Sequence, residues 1–344
     1  MNTKEVKCLI WDLDDTLWEG VLAENDRVRL KPGIGDILET LDQRGILLSI
    51  ASRNNFDECW RKLEEFGVAH YFLYPEISWN AKSAAVDNIV RHLNIGSDTV
   101  AFIDDQPFER DEVQSLYPLV ECIDARDYLE LPNWERFNPR FISEETIHRR
   151  GRYQEDIRRS ADEQSFAGPK EDFLRQLNMV FSISRAEKDD LARAEELTVR
   201  TNQLNATGLT FGYGELEALS KSDQHYLLTA ELTDRYGSYG KIGLALIEKL
   251  PTDWRLRLML MSCRVLSRGV GTVLLTCIMA EAKKHGVRLL ADFRQTERNR
   301  SMYITYKFAN FYELENDSRG NIVFANDLGQ IPPVPEYIDL QIKL

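Results

Sequence analysis

The stretch KCLIWDLDDTLW, Lys7 to Trp18, leads from an apolar run into Asp12, Asp14 and Asp15. Carboxylates this close repel one another and resist desolvation unless a positive charge sits among them. Mg2+ suits such a set: it takes hard oxygen ligands, keeps several waters and commonly binds substrate phosphate as well. A second acidic pair, Asp104 and Asp105, follows the apolar run TVAFI. A third run, ILLSIAS, ends at Ser52 and is followed by Arg53 and Asn54, groups suited to donating hydrogen bonds to phosphate oxygens. Lys82 opens a helical pattern in SWNAKSAAV, where an ammonium can neutralise phosphate and carboxylate charge. The residue types therefore point to metal-assisted phosphoryl chemistry, with Asp12, Asp14, Asp104 and Asp105 as metal ligands.

This chemistry needs a scaffold that gathers distant residues. Side chains at i and i+2 of a strand point to the same face, and both faces of such a parallel sheet are covered by helices, so Asp12 and Asp14 reach an open site only if the strand ends and the backbone turns between them. From residue 7 to about 125, apolar runs (CLIW, ILLSIAS, YFLYP, TVAFIDD, LVECIDA) alternate with amphipathic segments (GDILETLDQRG, FDECWRKLEEFG, KSAAVDNIVRHLNI). That cadence predicts a parallel sheet covered on both faces, with its site at the carboxyl ends of the strands. The spacings from Asp12 to Gly33 and from Ser52 to Lys82 leave no room for a large cap domain.

A chain of 344 residues fits two domains better than one. We expect a first domain over 1–130, a linker and charged helix over 131–165 with Ser143 as N-cap, and a second α/β domain over 166–344. In the second, EDFLRQLN, LARAEELTVRTNQLN, GVGTVLLTCIMAEAKKHG and NRSMYITYKFANFYEL read as helices. HYLLTAEL, KIGLALIEKL, WRLRLMLMSCRV and VRLLADFR read as strands. The formal charge of -13 argues against general affinity for nucleic acid or an anionic membrane surface. Five scattered cysteines without metal-ligand spacing fit thiols in a reducing cytoplasm, and no run of eighteen apolar residues suggests a membrane span. HRRGRYQEDIRR offers Arg149, Arg150, Arg152, Arg158 and Arg159 either as a docking patch for an acidic partner or as an ordinary solvated helix face.

The ordered set DxDxT, a strand-end serine, a distant lysine and a terminal acidic pair resembles the haloacid-dehalogenase (HAD) phosphotransferases. That resemblance implies that Asp12 is the phosphate-accepting nucleophile and Asp14 the general acid/base. It further implies that Ser52 and Lys82 orient phosphate and nucleophile, while Asp104 and Asp105 bind the metal. An aspartate oxygen would then attack phosphorus in line, giving an aspartyl phosphate that water cleaves.

Further along, the strand WRLRLMLMS ends at Cys263, before a glycine turn and a long helix. The amino end of that helix, with Arg264 and Arg268 close in sequence, would make the thiol a nucleophile; the alternative is a small buried hydrophobe. Strand, turn and helix resemble the acyl-CoA-binding core of the GNAT acyltransferases, with Arg268 and Gly271 at matching positions and Val273 where a small residue is usual. A closer resemblance spans nearly the whole chain: DLDDTLWEGVLAE, LLSIASRNN, FIDDQPFERDEV, RTNQLNATGLTF, DRYGSYGKIGLALI and MSCRVLSRGVG are similar to the FkbH-like glyceryl transferase/phosphatases of polyketide biosynthesis. These fuse a HAD-like domain to a GNAT-like one. The resemblance implies capture of 1,3-bisphosphoglycerate, removal of phosphate, a D-glyceryl thioester on Cys263, and transfer to the phosphopantetheine arm of an acyl carrier protein. Asn202, Asn205, Asn299 and Arg264 would then contact the acyl group or the arm; for the asparagines, capping and turn formation are the alternative. Two rival readings are a plain Mg2+ phosphatase of a small metabolite and a non-catalytic scaffold that binds a carrier protein.

Overall fold

A computed structural model describes residues 4–24, 27–142, 144–201 and 203–344. The chain divides into two compact units, Met1–Gln154 and Glu155–Leu344.

In the first unit, β1 (Cys8–Trp11) leads through a small ribbon, β2 (Trp18–Glu19) and β3 (Arg29–Leu30), to α1 (Ile34–Gln43). Then follow β4 (Leu47–Ser52), α2 (Phe56–Glu65), β5 (Glu76–Ile77), α3 (Lys82–Leu93), β6 (Val100–Asp104), α4 (Pro107–Leu116) and β7 (Glu121–Asp124). The sheet is wholly parallel in the order β5-β4-β1-β6-β7. Its central strands are buried along their whole length, as helices on both faces require. After β1 the chain builds outward to β4 and β5, then returns to β1's other side as β6, so the order reverses between β1 and β6. Asp12 and Asp104 stand at the carboxyl ends there, the place where such sheets bind their ligands. The expected strand YFLYP is not one: Tyr74 has φ 48 and Pro75 follows, so pairing shifts to Glu76–Ile77. Residues 131–165, expected as a linker, begin in turns whose Leu131 and Phe137 are buried in this unit's core.

Two helices follow, α5 (Glu144–Ile147) and α6 (Arg149–Ser165), and the division between the units falls within α6. Ser143, the expected cap, lies outside the described residues. The second unit continues with α7 (Lys170–Gln176), β8 (Met179–Arg185), α8 (Leu191–Arg200), α9 (Tyr213–Ser220), β9 (His225–Asp234), β10 (Gly237–Lys249) and β11 (Asp253–Met261). It ends with α10 (Val270–Lys284), β12 (Arg288–Arg294), α11 (Arg300–Phe308), β13 (Tyr312–Asn316), β14 (Asn321–Asn326) and β15 (Ile338–Lys343). These strands form one sheet in the order β13-β14-β12-β11-β10-β9-β8-β15. The expected helix NRSMYITYKFANFYEL stops at Phe308, because Asn310 takes the left-handed conformation (φ 64) and β13 begins at Tyr312.

β11 and β12 pair in parallel only as far as Leu256 and Ala291. A bulge in the β10–β11 register, between Leu246 and Ile247, re-aims the strand beyond that point. The gap is filled by the chain itself, which the expected helix LARAEELTVRTNQLN would not allow. α8 ends at Arg200; Ala206 N donates to Met259 O (2.9 Å), Met261 N to Leu204 O (2.8 Å) and Arg294 N to Ala206 O (2.9 Å).

α6 turns most of its arginines onto the chain itself, which fits neither the docking-patch nor the solvated-face reading. Arg149 donates to Gly45 O, Arg150 holds Asp42 through two bonds, and Arg152 pairs with Glu145. Arg159 is 1% exposed, donates through Nε and Nη2 to Asp234 (2.6 and 2.9 Å), and stacks on Tyr239. Of the five, Arg158 alone is exposed. Arg159→Met strands the buried Asp234 carboxylate, and we expect about 3–5 kcal/mol less stability, measured as a lower denaturation midpoint of the second unit. A change below about 1 kcal/mol would mean that water already screens the pair.

Candidate active site at the carboxyl edge of the parallel sheet

β1 stops at Trp11, and Asp12 N still donates to Ile103 O (3.0 Å), so Asp12 continues the sheet at the switch point. The chain then coils: the amides of Thr16, Leu17 and Trp18 all donate to Leu13 O. Asp15 sits at φ 48, its carboxylate takes Gly20 N (2.8 Å), and Lys31 bonds its carbonyl. This turn ends the strand and carries Asp14 clear of the covered faces of the sheet.

The positive charge among the carboxylates is Lys82. Only 2% exposed, its Nζ donates to Asp12 Oδ1, Asp104 Oδ2 (3.0 Å) and Ala51 O (2.9 Å), and pairs with Glu109 Oε2 (3.0 Å). Asp12, Asp104 and Glu109 each bring an oxygen within 4.8 Å of the others. Burial alone would lower the lysine's pKa; Asp12, Asp104 and Glu109 outweigh it and hold the ammonium charged. Burial, and then repulsion from Asp12, push the Asp104 carboxyl upward against the pull of Lys82. Glu109 was not anticipated. Its signal was present: an acid in the first turn of the helix that Pro107 opens, directly after the Asp104–Asp105 strand end.

Asp14 stands apart from the three acids that Lys82 gathers. Its Oδ1 accepts Trp18 Nε1 (2.8 Å) and Leu22 N (3.0 Å), and its Oδ2 accepts Asn54 Nδ2 (2.9 Å). Burial raises its pKa, while the Leu22 and Trp18 donors oppose the rise. Asn54 thus serves Asp14 rather than facing a phosphate directly. Asp105 is tied to Thr16, whose Oγ1 accepts Asp105 N (3.0 Å), and burial raises its carboxyl pKa. Arg53 bridges to α4 through Glu109 (3.2 Å) and Glu112 (3.3 Å). Ser52 is buried at the end of β4.

In the second unit Cys263 is half-buried at the start of a short 3-10 turn, Cys263–Arg268, that precedes α10. Cys8 and Cys277 are core residues whose thiols burial pushes well above the ordinary value, Cys277 to about 11. Arg264 Nη2 donates to Tyr239 O (2.8 Å), and Arg268 is buried against Glu163 (3.0 Å). Asn205 and Asn299 meet, but in backbone duty. Asn205 Oδ1 accepts Thr207 N and Gly208 N, while Asn299 Nδ2 reaches Asn205 O (3.0 Å) and Arg294 O (2.8 Å). Both are 1% exposed. Together they latch the segment between β11 and β12. Asn202 lies outside the described residues.

Residues 17–112 match the family model of the haloacid dehalogenase-like hydrolases, and those residues span β4, Lys82 and the Asp104–Asp105 strand end. The first unit has a HAD-like fold. Among solved structures, the chain is similar to the N-terminal part of a Bacteroides fragilis protein containing a phosphatase domain, complexed with Mg. There the identity is 32% and the TM-score 0.32, over 37% of this chain and 39% of that one. The chain therefore spans about two fifths of that structure. It is also similar to the ribosomal-protein-S18-alanine N-acetyltransferase of Escherichia coli (18% identity, TM-score 0.33, 45% of this chain and 97% of that one). A GNAT-family acetyltransferase of Streptococcus pneumoniae is similar at 19% identity and TM-score 0.34, over 42% of this chain and 98% of that one. No curated protein matches the chain. Among the described residues no helix is long and apolar enough to cross a membrane.

Proposed function

We propose that the chain is a bifunctional enzyme: a Mg2+-dependent phosphatase joined to a glyceryl transferase that uses 1,3-bisphosphoglycerate and an acyl carrier protein in polyketide biosynthesis. The observation that carries the phosphatase half is the buried convergence of Asp12, Asp104 and Glu109 on Lys82 at the switch point of a parallel sheet. The family match over residues 17–112 supports it. The donor set fits Mg2+, since Asp12, Asp14, Asp104, Asp105, Glu109 and Glu112 outnumber Lys82 and Arg53 and leave an excess of hard oxygen ligands and negative charge. Asp12, Asp104 and Asp105, joined by Glu109, would hold it; Asp14, expected as a fourth ligand, has its carboxylate taken by Trp18, Leu22 and Asn54 and is kept for the proton. When bound, the ion neutralises the charge of the transferring phosphoryl group.

The residues then have distinct tasks. Asp12, oriented by Lys82, forms a bond from a carboxylate oxygen to phosphorus while the ester P–O bond breaks. Asp14 gives its proton to the departing oxygen and afterwards takes one from the water that cleaves the aspartyl phosphate. Arg53 and Ser52 contact phosphate oxygens at the mouth. In the transferase half, the Cys263 sulfur bonds to the carbonyl carbon of the acyl phosphate, the C–O bond to phosphate breaks, and phosphate leaves. The remaining ester phosphate is the group that the Asp12 site removes.

The plain-phosphatase reading has one observation in its favour: Asn205, Asn299 and Arg264 bond this chain's own backbone. Intact-mass measurement after incubation with 1,3-bisphosphoglycerate and Mg2+ separates the two. A glyceryl or phosphoglyceryl adduct on the protein supports the transferase; released phosphate without an adduct leaves only the phosphatase.

A further inference from the structure

Asp14 is held by three donors, and the way they divide between its two oxygens has a chemical consequence. A carboxylate oxygen offers two lone-pair sites. Those of Oδ1 are both taken, by the indole N–H of Trp18 (2.8 Å) and the amide of Leu22 (3.0 Å), neither of which can accept a proton. Oδ2 takes one donor, Asn54 Nδ2 (2.9 Å). Asn54 is itself fixed, because its Oδ1 accepts Asn55 N (2.9 Å), so its amide group faces Asp14 with the N–H side. Both partners are rigidly seated: Trp18 is 0% exposed within the core, and Asn54 is 2% exposed. The remaining lone pair of Oδ2 is the place left for a transferable proton.

We propose that Trp18 and Asn54 are positioning residues that lock the Asp14 carboxyl so that it delivers its proton from Oδ2. This rests on the reading of Asp14 as general acid. In the step concerned, the Asp12 oxygen–phosphorus bond forms and the ester P–O bond breaks. The electron pair departs on the ester oxygen, and that oxygen takes the proton from Asp14 Oδ2. An alkoxide needs that proton as it leaves, whereas a p-nitrophenolate departs without it. A misplaced acid therefore penalises alkyl phosphates selectively, while a general loosening of the fold penalises both ester classes.

The test compares kcat for glycerol 3-phosphate and p-nitrophenyl phosphate, with Mg2+, in the full chain and in Asp14→Asn, Trp18→Phe and Asn54→Leu. General acid catalysis contributes about 10²–10⁴-fold, so we expect the alkyl-to-aryl ratio to fall by about 10²-fold in Asp14→Asn and by about tenfold in each positioning variant. KM should stay within about twofold. If Asp14→Asn lowers the ratio but Trp18→Phe and Asn54→Leu slow both esters equally, the positioning role is wrong and the acid role of Asp14 stands. Equal slowing of both esters in Asp14→Asn overturns that reading and the proposal with it, as does failure of the unaltered chain to hydrolyse either ester. Should Trp18→Phe not fold, by circular dichroism, Asn54→Leu decides alone.

Discussion

Asp12→Asn is expected to abolish phosphate release from a phosphate monoester, by at least about 10⁴-fold in kcat, the scale on which removing a nucleophile acts. An amide oxygen does not attack phosphorus usefully, and no phosphoryl group should remain on the protein after rapid acid quench. The fold should survive. Lys82 keeps Asp104 and Glu109, each at 3.0 Å, and the backbone N–H at position 12, which the substitution leaves in place, would still reach Ile103 O. The measurement is phosphate release together with intact mass after quench, checked against an unchanged thermal midpoint. Activity within about tenfold of the parent would remove Asp12 as nucleophile, and with it the phosphatase reading. Unchanged activity of every kind would leave the scaffold reading.

Cys263→Ala is expected to eliminate the acyl adduct and any glyceryl transfer to a carrier protein, while release of phosphate from a simple ester persists. The phosphoryl step uses residues of Met1–Gln154 alone, whereas Cys263 belongs to Glu155–Leu344. Truncating a half-buried thiol disturbs little: Ser262 N still donates to Ile242 O (2.6 Å) and Val265 N to Ser262 O (3.2 Å), so the turn before α10 keeps its frame. The check is intact mass after incubation with 1,3-bisphosphoglycerate, then carrier-protein mass. An adduct that persists in Cys263→Ala would place the acyl group elsewhere; loss of ester hydrolysis along with the adduct would deny the two activities their separate sites.

The carboxyl-edge set was legible because each member sits at a local boundary. Asp12, Ser52 and Asp104 each directly follow or end a fully buried strand, and Lys82 begins a helix, features that period and composition report. Glu109 and Trp18 were not legible as site residues. A glutamate in a first helical turn reads as a helix-dipole partner, and a tryptophan after DDTL reads as core, as Trp18 also is. The strands Met179–Arg185 and Ile338–Lys343 escaped too. They pair in parallel with each other, 159 residues apart at Ser182 and Gln341, and short half-buried alternation says little without the partner. RTNQLN read as a helical continuation because nothing nearby reveals that β11 and β12 diverge and need a peptide between them.

Residue order alone established which side chains are available for chemistry, the parallel strand–helix succession that carries the acids to one edge, and a thiol placed before a long helix. Long-range packing made the assignments. Lys82 became the internal cation of three acids, Asn54 passed to Asp14, Asn205 and Asn299 became latches, and Arg159 went inside. The difference is one of range. Strand and helix patterns arise from neighbours within a few residues, whereas the partner of a charge or an amide depends on which distant backbone and carboxyl groups the strand order leaves unsatisfied.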